Sequence, residues 1–84
     1  MKAKYAVLLP QTIAPEVLLL IDGYLVEIRG MNFLLAEAFE PLGYFARIEA
    51  YKADKSGSTW ELLIPIHIVL AAARMDEQNA LGFL

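Results

Sequence analysis

Hydrophobic and polar residues alternate cleanly at two places along this chain, and each place predicts a half-buried β-strand. In 44–52, YFARIEAYK, one face collects Tyr44, Ala46, Ile48 and Ala50, and the other collects Phe45, Arg47, Glu49 and Tyr51. In 24–29, YLVEIR, Tyr24, Val26 and Ile28 oppose Leu25, Glu27 and Arg29. A returning strand follows the first of these at 59–64, TWELLI, with Trp60, Leu62 and Ile64 against Thr59, Glu61 and Leu63. The intervening run 53–58, ADKSGS, is polar, contains glycine and reads as a loop. Pro65 cannot donate a ladder hydrogen bond, so it marks a strand end or an edge.

The stretch 16–29, EVLLLIDGYLVEIR, sets an Asp22-Gly23 pair between two apolar runs. Such a pair favours a type I′ turn, which needs positive φ at both central residues. The resulting hairpin pairs Ile21 with Tyr24, Leu19 with Val26 and Val17 with Ile28. Its first strand, 17–21, is apolar on both sides and requires cover on both faces. A rival reading starts a helix here, with Thr12 as cap and Pro15 in the first turn, and ends it at Gly23. The hairpin is preferred because Asp22-Gly23 is well placed for it and 17–21 is rich in branched residues.

The remaining segments read as follows. Residues 4–9, KYAVLL, form a strand stopped by Pro10, with Tyr5, Val7 and Leu9 on one face and either sheet edge open to it. Gly30-Met31-Asn32 breaks the pattern. Asn32 is then an N-cap for a helix over 33–40, FLLAEAFE, which is apolar on most sides, with Glu37 and Glu40 at its wet edge. Pro41 ends it. A second helix runs from 66 or 67 to about 81, with Ile66, Val69, Leu70, Ala73, Ala80 and Leu81 near one stripe. Ala71, Ala72 and Ala73 let it sit close to the sheet, Gly82 caps it and Phe83 packs back. IPIHIVL can instead prolong the preceding strand. The sum is one α+β domain over 1–84: an antiparallel sheet of about five strands in the order β, β-hairpin, α, β-hairpin, α, with helices packed on one face.

Composition changes this picture in one respect. The chain has 84 residues and is 58% hydrophobic, with mean hydropathy +0.49, against roughly 45–50% apolar in ordinary globular proteins. A domain of this size buries only about 60–65% of its unfolded surface. The surplus points to a self-interface, a permanent partner, a membrane surface or an apolar ligand. A transmembrane helix needs about 18 apolar residues in a row, and the longest candidate, 62–73, is interrupted by Pro65 and His67. The N-terminal apolar run is cut at Pro10, too short for a secretory signal. With no cysteine, disulfides and thiolate chemistry are excluded, which fits a cytoplasmic location. A net charge of −3 argues against nucleic acid as a partner, since that needs a basic patch.

No catalytic, cofactor or metal motif is present, so no cofactor is expected. His67 is the only histidine and sits in an apolar setting without a second ligand, which suits a satisfied structural histidine better than a base or metal ligand. Glu37 with Glu40, and Asp76 with Glu77, suit a solvated helix face better than a carboxylate pair. The 55–59 run, KSGST, lacks the phosphate-loop order and joins two strands.

The more informative set is a sheet face. With Tyr44, Ala46, Ile48, Trp60, Leu62, Ile64, Val26 and Ile28 towards the helices, the other side carries Leu25, Arg29, Phe45, Arg47, Tyr51 and Leu63 among mixed charges, and Leu18 and Leu20 point the same way. Aromatics and arginine often dominate binding energy, so these six are the candidate protein-binding residues. The expected function is a small non-enzymatic interaction module of the inhibitor, immunity or anti-defence kind, engaging a protein partner or itself as a homodimer. The alternative is a small-ligand protein or an enzyme completed at an oligomer interface, with His67, Trp60, Tyr24 and Glu61 as first candidates. A third reading, base stacking on Phe45 and Tyr51 beside Arg47, conflicts with the acidic balance.

Overall fold

A computed structural model describes residues 3–75. Among these residues the chain runs β1 (Tyr5–Leu9), α1 (Pro15–Ile21), a 3-10 turn (Asp22–Tyr24), β2 (Leu25–Ile28), β3 (Met31–Leu42), β4 (Phe45–Tyr51), β5 (Thr59–Pro65), a second 3-10 turn (Ile66–Ile68) and β6 (Ala71–Arg74). All pairings are antiparallel. The sheet order is β5-β4-β3-β1-β6, with β2 also on β3.

The expected helix over 33–40 is instead the middle two-thirds of β3, the longest strand among the described residues. Phe33, Leu34, Leu35 and Ala36 are all buried. Leu34 and Ala36 belong to one core cluster, while Phe33 and Leu35 belong to a second on the opposite face. A strand covered on both faces shows no alternation, so its pattern cannot be told from a buried helix. The register then shifts between Ala36 and Ala38, which sets two β3 residues against one of β4. This bulge puts Phe39 back on the main-core face and Glu40 opposite Arg47. Asn32 is not a helix cap. Its Nδ2 donates to the Pro10 carbonyl at 3.1 Å, tying the end of β1 to the start of β3.

The Asp22-Gly23 hairpin does not form, and the rival helix does. Pro15 occupies the first turn with Glu16 beside it, and the cap position is Ala14 rather than Thr12, without a side-chain cap. Val17 and Ile21, one turn apart, pack on the main core, and Asp22-Gly23 lies in the 3-10 turn that follows. The helix needs cover on one stripe only, whereas a 17–21 strand needs it on both faces. The two-residue turn with both φ positive occurs one strand later, at Arg29 (54°) and Gly30 (79°), between Ile28 and its partner Met31.

The β4–β5 hairpin forms as the alternation predicts. Ala46, Ile48 and Ala50 are buried and pair with Ile64, Leu62 and Trp60; Phe45, Arg47, Glu49 and Tyr51 lie on the other face. β1 also forms, but in the sheet interior between β3 and β6 rather than at an edge. The helix expected from 66 is absent up to residue 75. A 3-10 turn takes 66–68, and the alanines form edge strand β6 against β1. Ile66 N–H donates to the Tyr44 carbonyl and Leu70 N–H to the Leu8 carbonyl, so 66–70 crosses one end of the sheet. Ile66, Ile68 and Val69 pack on the main core there. The expected cap at Gly82, the packing of Phe83 and the Asp76-Glu77 pair lie outside the described residues. Among the described residues the fold is thus a sheet-dominated small domain of six strands with a single short α-helix on its main-core face, rather than five strands with helices at 33–40 and from 66.

Two substitutions test this packing. Ile21→Ala, which empties the only fully buried position of α1, should cost about 3 kcal/mol in urea unfolding. Gly30→Ala, at φ 79°, should cost about 1 kcal/mol through the left-handed backbone alone.

Candidate functional site

On the face opposite α1, called here the outer face, the bulged strand and the β4–β5 hairpin assemble a polar lattice. Arg47 lies between two carboxylates: its Nε donates to Glu40 Oε1 at 3.0 Å and its Nη1 to Glu61 Oε2 at 3.1 Å. Both carboxylates, through these hydrogen bonds, push the guanidinium pKa further up. Tyr51 donates to Glu37 Oε2 at 2.8 Å, and Lys4 Nζ stands 3.1 Å from Glu37 Oε1. The Tyr51 and Lys4 hydrogen bonds hold the Glu37 carboxyl below its ordinary value. Burial and the Glu37 hydrogen bond push the Tyr51 phenol up to about 12. Thr59 Oγ1 donates to Glu49 Oε2 at 3.0 Å.

The same face turns apolar at the β3–β4 turn. Leu42 pairs with Phe45, Phe45 with Pro65, and Arg47 with Leu63. Leu42, Phe45 and Leu63 are all exposed, Leu63 by 56%. On the inner face, a groove of about 470 Å³ runs between α1 and β5. Val17, Leu20 and Tyr24 line one wall and Trp60, Leu62 and Pro65 the other. Leu20 is 71% exposed and Trp60 61%.

Between groove and outer patch runs the free edge of β5, which no strand of the described residues pairs. Its backbone direction follows from two bonds. Lys52 N–H donates to the Ser58 carbonyl and Ile66 N–H to the Tyr44 carbonyl, both in the β4–β5 register. In an antiparallel ladder, bonded and non-bonded pairs alternate. Trp60, Leu62 and Ile64 therefore direct their N–H and C=O groups towards β4. Thr59, Glu61 and Leu63 direct theirs outward. Pro65, which has no N–H, is in the outward set, so it costs the ladder nothing.

Of the six candidate binding residues, Phe45, Arg47, Tyr51 and Leu63 share the outer face as expected. Arg47 and Tyr51 are engaged by neighbouring carboxylates. Leu25 lies on the opposite side from the one expected: it packs on the main core, while Val26 joins the second cluster and Ile28 is one of that cluster's buried residues. Arg29 sits in the β2–β3 turn. Leu18 and Leu20, expected on a strand of the outer face, are in α1. Of the ligand-site candidates, Trp60, Tyr24 and Glu61 line the groove, whereas His67 is exposed in the second 3-10 turn. The strand reading turned Leu19 inward and set Leu20 on the outer face, whereas the helix leaves both exposed. Among the described residues, no group of three or more His, Cys, Asp or Glu could hold a metal ion, and no helix is long and apolar enough to cross a membrane. Comparison with family models, with curated proteins and with solved structures finds no match.

The Tyr51–Glu37 contact predicts the pH response. Because Glu37 is lowered from 4.5, its contribution is present above that value and is lost as pH falls below it. Because Tyr51 is raised from 10 to about 12, its contribution is complete below pH 10 and is lost between 10 and about 12. Thermal midpoints across pH should show both losses in the wild type. Tyr51→Phe should reduce the alkaline loss, and Glu37→Gln should reduce the acidic one, of which Asp54, also held low by its hydrogen bonds from Ser56, keeps a share.

Proposed function

We propose that this chain is a protein-binding module that acts by contact rather than by catalysis, in the manner of small inhibitors and immunity or anti-defence proteins. The observation that carries this reading is the edge of β5, a backbone row that no strand of the described residues pairs, flanked by exposed apolar side chains on both sides: Leu20 and Trp60 within, Phe45 and Leu63 without. A monomeric protein ordinarily blunts such an edge with lysine, a bulge or brevity. The seven residues of β5 carry one charge, Glu61, which Arg47 neutralises, and one proline, at the end. An added strand gains main-chain hydrogen bonds at the edge and apolar pockets on alternate sides, the usual logic of strand addition. A cysteine-free chain fits a reducing compartment for this work.

A second reading takes the groove as a small-ligand site. Its volume of about 470 Å³ lies in the ordinary range for such sites, and Glu16 and Tyr24 supply polar groups. A stoichiometric small molecule in native mass spectrometry of the purified protein favours this reading.

Affinity capture separates the two. The wild type should retain a stoichiometric protein partner, itself or another. Trp60→Lys with Leu63→Lys should lose it at a thermal midpoint within about 3 °C of wild type. Equal capture by both proteins, or capture of no protein, overturns the binding-module reading.

A further inference from the structure

The β5 edge has the geometry to pair with itself. We infer that its occupant is a second copy of this chain, joined antiparallel across a two-fold axis at Leu62 so that the two sheets become one. The inference rests on the binding-module reading above and names its partner.

Three constraints select this pairing. The first is backbone direction: Thr59, Glu61 and Leu63 offer N–H and C=O groups outward and Pro65 offers C=O alone, as the β4–β5 register requires. A two-fold antiparallel pair preserves the faces of a sheet only when its axis passes through a residue. With the axis at Leu62, Glu61 bonds Leu63 of the other copy in both directions, and Thr59 N–H meets the Pro65 carbonyl. That gives about six backbone hydrogen bonds and leaves the missing proline N–H at the margin.

The second constraint is charge. An axis at Glu61 sets the two Glu61 carboxylates directly opposite, which is destabilising. The axis at Leu62 sets Glu61 opposite Leu63, while each Glu61 keeps its own Arg47 at 3.1 Å. On the inner face the same register sets Trp60 beside Ile64 of the other copy, and the two grooves meet beneath the paired α1 helices. Leu20, 71% exposed, then has an apolar neighbour.

The third is area. The exposed parts of Trp60, Leu63 and Leu20, with seven residues of strand edge, supply on the order of 500 Å² per copy. About 1,000 Å² in total is the lower bound for specific association and fits a dimer in exchange with monomer. The opposite edge does not compete. β6 has four residues, three of them alanine and the last Arg74, a short edge ending in a charge.

The test is sedimentation equilibrium from about 1 μM to 1 mM, with fluorescence of the single tryptophan followed over the same range. A monomer–dimer equilibrium with Kd on the order of 10 μM is expected, together with a blue shift of Trp60 emission at the same midpoint. Leu63→Pro removes an outward N–H and no bond to β4, so it should keep the far-UV spectrum and raise Kd at least about tenfold. Trp60→Lys, at an exposed position, should do the same and decides the matter if the proline variant does not fold. A monomer throughout, or a dimer unaffected by Trp60→Lys, overturns the second-copy inference. The capture experiment then shows separately whether a different protein takes the edge.

Discussion

The 12-residue strand β3 is the constraint on which the other elements depend. Its first half is paired on one side by β1 and on the other by β2, and its second half is paired by β4. β2 and β4 therefore follow one another along the same side of β3, and Ala53 N–H donates to the Gly23 carbonyl where they meet. This arrangement buries Leu34 and Ala36 on one face and Phe33 and Leu35 on the other. Covering a strand on both faces removes the most apolar surface per residue, and burial of that kind dominates stability. The bulge between Ala36 and Ala38 then lets the same strand change roles. Beyond it, one face is core and the other is wet.

The outer face follows from that change. Glu37 and Glu40 are three residues apart, and an uninterrupted strand sends them to opposite faces. The bulge brings both to the outer side, where Glu37 meets Lys4 and Tyr51 and Glu40 meets Arg47. These contacts are exposed, and individually such pairs are worth little. Their larger effect is on placement. Arg47 is pinned between β3 and β5, and its charge is balanced by Glu40 and Glu61. The face is left with an apolar end at Leu42, Phe45 and Leu63 and a neutralised middle.

α1 bears on the edge in a different way. Its seven residues are too few to be a stable helix in isolation, so it is held by Val17 and Ile21 on the core. That anchoring leaves Leu19, 82% exposed, and Leu20 on the surface, and Leu20 forms one wall of the groove opposite Trp60. The surplus hydrophobicity of the chain is accordingly not spread evenly. Much of it collects around one strand edge and the helix beside it.

The sequence by itself determined the elements whose cover is one-sided. β1, covered on both faces, was legible only as an apolar run stopped by Pro10. In the β4–β5 hairpin the faces and the 53–58 loop are written in alternation and turn residues, because a strand with one wet face must alternate. Phe45, Arg47, Tyr51 and Leu63 were legible for the same reason. So was the excess of apolar residues over what a small interior holds. Only the tertiary structure decided the elements with cover on both faces or on a narrow stripe. FLLAEAFE became a strand because β1, β2 and β4 were there to pair it, and a bulge erased its period. EVLLLI became a helix because a single groove of the core was available to it. Leu25 turned inward because β2 docks on β3 through a turn at Arg29-Gly30 rather than at Asp22-Gly23. The groove itself joins residues some forty positions apart, and local pattern carries no information about which distant segments meet.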